Sequence, residues 1–431
     1  ATPSLIGPVA NPTPSWWLQN IPTRESSAAA PPETADIAII GAGMTGCAVA
    51  YWLHTLVDAP QQVVVLDARG VAGGATGRNG GHLWCNPSSD FERESTAELL
   101  QFLEEREVDC DLQRHGAAAL ERKEAETGVE YSDTAADPEA AAVDEEWAEP
   151  ATWDAAEIET KLQTEAFVHA SVYPEAMSFY PAKVANALLD AASATLVAPI
   201  RVLGIDAESN TEWQHLRWQC DSNGASSSSP LSGVLRARKV VVATNGWAAE
   251  LLPELQNHLY PTRNQVIMTK PLPKTASWQV GGWSVDSDVG ARELYAIRRP
   301  DGRVCFGGAR ALEPNAAVGN ADDGSTSDVV GAYLRRFLSE RFPQAVGPDG
   351  AVEVEAEWTG TLGFTSDGKP LVGTLPGRPN VYVAAGFNGH GMPQCFGVGK
   401  AVALLVSGRE EEMNAYVREV VRADRVVGED S

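Results

Sequence analysis

Two short apolar runs, DIAII (36–40) and VVVLD (63–67), bracket a stretch where small and apolar residues recur at helical spacing from Met44 to Leu56. The pattern predicts strand, helix, strand: a βαβ opening. Residues 92–115 scatter acidic residues among Leu and Phe and predict a helix. FYPAKVANALLDAA (179–192) places Pro181 ahead of a helical pattern, at a position where its missing N–H costs nothing. Apolar runs predict a strand at PIRVLGID (199–206), then a hairpin whose arms are EWQHLRWQC and LRARKVVVATNGW around the polar tip NGASSSSP. Further strands are predicted at 264–270, 293–299, 303–308 and 381–386, the last leading through FNGHGM into a helix near 396–407. Residues 1–35, rich in Pro, Ser and Ala, read as an extended arm anchored by Trp16 and Trp17, and the Ala- and acid-rich segment 121–150 reads as a surface insertion. No internal repeat is visible.

Length and composition narrow the function without naming it. With 431 residues the chain exceeds one compact core and predicts two domains or one large α/β assembly. Its net charge of −25 and lack of any Lys/Arg run exclude a nucleic-acid partner. A negative surface attracts cationic small molecules, although most such charge serves solubility. Cys47, Cys85, Cys110, Cys220, Cys305 and Cys395 form no CxxC pair, which argues against a metal site and a disulfide framework and for a reducing compartment. No basic n-region precedes an apolar core, no apolar run reaches about 20 residues, and VVGEDS carries no targeting tripeptide. The expectation is a cytoplasmic protein with no membrane association.

Chemistry enters with GAGMTG. Gly41, Gly43 and Gly46 fit G-x-G-x-x-G after a strand and at the opening of a helix, with Met44 and Thr45 between them. Such glycines permit a tight turn and let a pyrophosphate approach the helix N-terminus, whose dipole favours an anion. Asp67, 21 residues beyond Gly46, is placed to accept hydrogen bonds from a ribose. A second glycine cluster follows strand two, GGATGRNGGHLW (73–84), and offers another length of bare backbone, enough to track a pyrophosphate and reach an isoalloxazine ring.

The motifs IIGAGMTG, ARGVAGGATGRNGG, KVVVATNGW, PTRNQ, WTGTLGFTSDGKPLVG and NVYVAAGFNGHGM follow one another between residues 36 and 400. In them the chain resembles the D-amino acid oxidase superfamily of FAD enzymes, close in pattern to the glycine oxidase, sarcosine oxidase and γ-glutamylputrescine oxidase groups. The resemblance implies an α/β fold with a Rossmann-like FAD-binding domain (36–92, 177–252 and 353–431) and an antiparallel-sheet substrate domain (93–176 and 253–352), both discontinuous, after an arm of 1–35. It implies that Ala68, Arg69, Ala75, Thr76, Arg78, Asn79, Gly80 and Gly81 line the cofactor. Val202 would meet the adenine through its main chain, and Thr244, Asn245, Gly246 and Gly363 would complete the wall. Phe387, Asn388, Gly389, His390, Gly391 and Met392 would sit at the flavin edge, where a helix N-terminus stabilises the negative charge of the reduced ring.

No second dinucleotide motif is present, so electrons are expected from an organic substrate. The resemblance implies oxidation of the C–N bond of a primary or secondary amine, with hydride transfer to flavin N5, imine formation, and reoxidation by dioxygen to hydrogen peroxide. The cofactor performs the difficult step, so no Ser-His-Asp or Cys-His signature is needed. Two departures from the family pattern matter. Leu362 and Gly389 fall where amino-acid-oxidising members carry carboxylate-clamping groups, which argues against a free α-amino acid as substrate unless Arg263, Arg298 or Arg310 replaces the clamp. Trp84, Trp358, Tyr295 and Phe364 are candidates for an aromatic cage, with core packing as the alternative for each. His390, Trp358, Tyr295, His82 and Gln265 form the candidate catalytic set. His390, Arg78 and Lys270 are the candidate cations for oxygen activation. Trp358 stands at or near the position where sarcosine-oxidase-type members attach FAD through Cys, so the cofactor is expected to be non-covalent, with His82 and Cys85 left open as attachment points. A dehydrogenase of the same fold using a non-oxygen acceptor, and a catalytically silent flavin-binding protein, remain the alternatives. Oligomeric state is not legible.

Overall fold

The computed structural model describes residues 7–427 apart from 23, 25, 27–29, 58–60, 123–149, 208–211, 221–230, 274–275, 286–293 and 348–349. Most of the expected insertion at 121–150 and the whole hairpin tip NGASSSSP therefore lie outside the described residues.

The βαβ opening forms as its periodicity requires. Strand Thr34–Ile40 pairs in parallel with Val63–Leu66 on one side and with Leu231–Val242 on the other, at the centre of an eight-stranded sheet. Ala194–Val197 and Val381–Ala385 extend the parallel part, while Arg201–Ala207 and Gln214–Cys220 form an antiparallel meander with the long strand Leu231–Val242. Helix Met44–Leu56 is buried along most of its length because helices pack on it from two sides. One of these, Cys395–Val406, comes so close that a Cβ on Gly399 would lie 2.5 Å from Ala48 Cβ. The other, Pro181–Ala191, begins with Pro181 at its first turn.

A second eight-stranded sheet runs in the order Val354–Thr365, Leu259–Thr269, Val304–Gly308, Leu294–Arg298, Gly282–Val285, Ala117–Arg122, Phe167–Tyr173 and Ala151–Asp154. All neighbours are antiparallel except Gly282–Val285 and Ala117–Arg122. Helix Asp328–Arg341, capped by Ser327, covers this sheet with Val330, Leu334, Phe337 and Leu338. A small third sheet joins His82–Leu83, Met177–Ser178 and Gln113–Arg114. The mixed α/β architecture expected from the sequence is what forms.

Three expectations are corrected. Strand Val354–Thr365 pairs along its length with Leu259–Thr269, so it belongs to the second sheet and not with the cofactor sheet as the boundary at 353 implied. The helix expected over 92–115 is Asp90–Glu105; Glu107 and Asp111 then turn with φ of 50° and 53°, which stops it. That helix also packs against Cys395–Val406, with Gly397 N donating to Ser95 Oγ at 2.9 Å and the Phe102 ring edge-on to Tyr51 and tilted against Phe396. Its core therefore lies with the first sheet, on the other side of the boundary expected at 92.

Candidate functional site

A cleft of about 1260 Å3, mouth included, opens where the strands of the first sheet end. Its floor is the glycine turn. Gly41 takes φ 107°, and a Cβ there would lie 2.6 Å from Ala243 O. Gly46 presses the helix onto the turn, with its missing Cβ 1.9 Å from Gly41 O. Gly43 is different: its φ is −76° and a Cβ would meet only Thr76 Oγ1, at 3.2 Å, so its bareness leaves space toward the cleft. No side chain caps the helix from Gly43, while Thr76 Oγ1 accepts from Met44 N at 2.9 Å. Gly41, Gly43, Met44 and Thr45 line the cleft; Gly46, buried under the turn, does not.

Asp67 lines the cleft from the end of Val63–Leu66. Its Oδ2 accepts from Ala42 N at 2.7 Å, and its Oδ1 accepts from Arg69 N and Gly70 N at 2.8 Å each. The carboxylate is thereby fixed, and Oδ2 keeps a lone pair for a hydroxyl donor. Ala68, Arg69, Ala75, Thr76 and Asn79 continue the wall along the second glycine-rich loop. Arg78 is absent from it: Nε donates to Gly73 O at 3.1 Å and Nη1 to Thr359 O at 2.8 Å, so the side chain braces the loop from behind. Burial lowers its pKa to about 10, the Asp323 carboxylate resisting. Gly80 also faces away, toward the Tyr295 ring, which a Cβ would approach to 2.7 Å. Gly81, at φ 87°, sits beneath Phe179 O.

At one end the cleft is closed by Ile200, Arg201 and Val202 with Trp247, Glu250 and Leu251. At the other stand Thr361, Leu362, Phe387, Gly389, Gly391 and Met392. Thr244 and Asn245 lie between, and Asn245 Oδ1 accepts from Gly386 N at 2.9 Å. Gly246, Gly363 and Asn388 do not line the cleft; they lock the strands behind it. A Cβ on Gly246 would lie 2.5 Å from Leu362 O, one on Gly363 2.5 Å from Asn245 Oδ1, and Asn388 Oδ1 accepts from Thr365 N at 2.8 Å.

Four buried polar atoms along this cleft, Arg69 Nε, Thr244 Oγ1, Trp247 Nε1 and Glu250 Oε1, have no hydrogen-bond partner within the protein. Buried polar groups are ordinarily paired, so a string of orphans along one cleft marks the place of a polar ligand. Burial raises the pKa of Glu250 even though Arg201 lies 3.6 Å away. Trp247, Glu250, Thr361 and Cys395 were not anticipated as lining residues. Trp247 and Thr361 lie within quoted motifs, Glu250 follows Trp247 by one short turn, and Cys395 opens the last helix; burial pushes the Cys395 thiol up to about 12.

None of the five candidate catalytic residues lines the cleft. Trp358 is fully buried, and its Nε1 donates to Arg78 O at 2.9 Å, so the packing alternative holds for it. Gln265 is spent on the neighbouring helix: Nε2 donates to Ser327 O and Glu357 Oε1, and Oε1 accepts from Ser327 N. His390 Nε2 meets the buried Glu92 carboxylate at 2.9 Å, turned from the cleft. Tyr295 lies behind Gly80, with its hydroxyl 3.1 Å from Asn264 Nδ2 and its ring 6.2 Å from that of His82. Burial and the nearby His115 push the His82 pKa down to about 3.

The four aromatics do not form one cage. Trp84 packs on Tyr173 at 5.0 Å, while Phe364 lies under the Arg310 guanidinium at 4.7 Å. Lys270 pairs with Glu353 on the surface, and Arg263 is held by Glu313 and Ser325. Arg298 and Cys85 lie outside the cleft lining as well, the Cys85 Sγ standing 2.9 Å from Thr96 Oγ1. Among the described residues no cluster of His, Cys, Asp or Glu is arranged to hold a metal, and no helix is long and apolar enough to cross a membrane.

Comparison with known proteins places these features in a wider group. Residues 36–405 match the family model described as DAO, FAD-dependent oxidoreductase. The chain is 26% identical to the γ-glutamylputrescine oxidoreductase of Escherichia coli over 413 residues, 89% of this chain and 86% of that protein. It is also 26% identical to the glycine oxidase of Geobacillus kaustophilus over 402 residues, 87% of this chain and 93% of that protein. The crystal structure of that glycine oxidase superposes with a TM-score of 0.67 at 20% identity, covering 90% of this chain and 98% of the other. An L-amino acid deaminase from Proteus myxofaciens superposes with a TM-score of 0.68 at 14% identity, covering 94% and 96%.

Proposed function

The chain belongs to the DAO family of FAD-dependent oxidoreductases, and from that premise we propose that it oxidises the C–N bond of a primary or secondary amine to an imine, with dioxygen as the final electron acceptor and hydrogen peroxide as the product. The single observation that carries the placement of the cofactor is the row of orphaned buried polar atoms along a cleft floored by the glycine turn.

In this reading Asp67, Val202, Trp247 and Glu250 would hold the adenosine. Asp67 Oδ2 and Glu250 Oε1 would accept from its hydroxyl or amino donors. Gly43 and the backbone N–H groups that follow it at the start of helix Met44–Leu56 would hold the pyrophosphate, where the helix dipole favours an anion. Thr361, Leu362, Phe387, Gly389 and Met392 would border the ring. FAD, held there without a covalent link, supplies the two-electron acceptor. The protein holds the ring and excludes water with apolar walls, and shapes the space a substrate enters.

An amine is favoured over an α-amino acid by what stands at the two positions where the family pattern places its clamp, and at Arg263. Leu362 is apolar, Gly389 has no side chain, and Arg263 is engaged by Glu313. Planar carboxylate recognition by a bidentate guanidinium therefore has no donor from these positions.

The test is anaerobic mixing of the FAD-loaded protein with a panel of amines and α-amino acids while the flavin absorbance is followed. Bleaching by amines, with oxygen uptake and peroxide on re-aeration, supports the reading. Bleaching by α-amino acids alone overturns the amine as substrate, and reoxidation only by a quinone-type acceptor replaces the oxidase with the dehydrogenase. No bleaching by any compound leaves a silent flavoprotein.

A further inference from the structure

Residues 7–17 run along the outer face of the glycine-rich loop whose inner face lines the cleft. Their contacts fall on that loop almost residue by residue. Val9 O accepts from Arg69 Nη2 at 3.1 Å, Thr13 Oγ1 accepts from Arg78 Nη1 at 3.2 Å, Ser15 Oγ donates to Gly77 O, and Trp17 Nε1 donates to Asn79 O at 2.6 Å. The same segment is fastened to the second sheet. Thr13 N donates to Asp323 O at 2.8 Å, and Thr359 N donates to Thr13 Oγ1 at 2.9 Å. The rings of Trp16 and Trp17 flank the Arg299 guanidinium at 4.8 and 4.9 Å, and Tyr180 donates its hydroxyl to Trp17 O at 2.6 Å.

The other end of the segment reaches the cleft itself. Pro8 is one of its lining residues. Gly7 rests on the pair that closes the adenosine end, for a Cβ there would lie 1.9 Å from Arg201 Nη2 and 2.8 Å from Glu250 Oε2.

A loop with glycine at 73, 74, 77, 80 and 81 is costly to order and has few side chains with which to order itself. Its backbone carbonyls at Gly77 and Asn79 are instead taken by donors from residues 15 and 17. We propose that residues 7–17 form a strap that sets this loop in its cofactor-binding shape and closes the adenosine end of the cleft, so that FAD exchanges only when the strap lifts. The proposal rests on the placement of FAD in the cleft given above. It assigns Thr13, Ser15 and Trp17 as positioning residues: each acts on the loop, none on the reacting atoms.

The experiment compares the full-length, FAD-loaded protein with its Thr13→Val/Ser15→Ala variant. Two quantities are read: the rate of FAD release on dilution, from the return of free flavin fluorescence, and amide hydrogen exchange over residues 73–81. The strap predicts release faster by about tenfold or more in the variant, with faster exchange confined to the loop and to residues 7–17. Release and exchange at parental rates overturn it. Should the double variant fail to fold, Thr13→Val alone, which keeps the side-chain volume, decides by the same two readouts. A parent protein that takes up no FAD overturns the proposed function together with the strap; a parent that holds FAD while the variants release it no faster overturns the strap alone.

Discussion

Arg69 and Asp323 meet through two parallel N–H···O bonds of 2.7 Å each, a fork-on-carboxylate pair joining the cofactor loop to the segment that precedes helix Asp328–Arg341. Asp323 is fully buried, and Arg78 Nε stands 3.7 Å from the same carboxylate. One anion thus answers two guanidiniums. Removing it leaves both buried without a counter-charge, the situation in which breaking a buried pair costs about 3–5 kcal/mol. Asp323→Ala is expected to lower the unfolding free energy by that amount in urea titrations. Asp323→Asn, which keeps the shape and loses the charge, should fall between parent and alanine. A loss below about 1 kcal/mol would show the pair to be screened like a surface contact.

The three glycines of the first turn should separate under alanine substitution. Gly46→Ala puts a methyl 1.9 Å from Gly41 O, against backbone that has nowhere to go, so the folded apoprotein itself should be lost or severely destabilised. Gly43→Ala meets only Thr76 Oγ1 at 3.2 Å and requires no unusual φ. Its apoprotein should melt within a degree or two of the parent, about the shift of a few tenths of a kcal/mol, while FAD affinity falls by about tenfold or more. Thermal melts of apoprotein alongside FAD titrations check both. Equal losses in the two variants would remove the case for a ligand over Gly43.

The contrast explains what was readable in the sequence. The glycine turn, the helix Met44–Leu56 and the strand Val63–Leu66 are local features, set by side-chain period and by backbone that only glycine allows. Pairing between strands far apart in the chain leaves no period. Strand Val354–Thr365 carries the WTGTLGFT motif, yet its sheet is decided by Leu259–Thr269. Helix Asp328–Arg341 goes unread above although Ser327 followed by Val330, Tyr333, Leu334, Phe337 and Leu338 is a capped amphipathic pattern. For the catalytic candidates, residue type says nothing of what a side chain is already bonded to. Gln265 is consumed by Ser327 and Glu357, and His390 faces Glu92.

Trp358 offers a direct check on that last point. Its indole N–H donates to Arg78 O from a site with no solvent exposure. Trp358→Phe keeps an aromatic ring and leaves a buried carbonyl one donor short, at a cost of about 1–3 kcal/mol. Stability should drop by that much, whereas KM for an amine should stay within about twofold, because the ring does not border the cleft. A large KM increase without loss of stability would return Trp358 to the substrate site.

His82 gives the fold a built-in acid sensitivity. Burial, with His115 adding to it, lowers the imidazole pKa from 6.5 to about 3, while the Ala296 carbonyl pulls weakly the other way. Below pH 6.5 the unfolded chain takes up a proton that the folded protein refuses until the pH approaches about 3. The unfolded state then binds more protons, so stability falls as the pH drops through that window, by up to about 1.4 kcal/mol per pH unit from this group. Carboxylates add their own acid dependence, and a variant isolates the histidine. His82→Gln should flatten the decline between about pH 6 and about pH 4 relative to the parent while leaving stability near neutrality little changed. Urea unfolding at a series of pH values measures both slopes. Parallel slopes in the two proteins would mean that His82 protonates in the folded state as readily as in the unfolded chain, and that its ring is hydrated where it reaches from the third sheet toward Gly282.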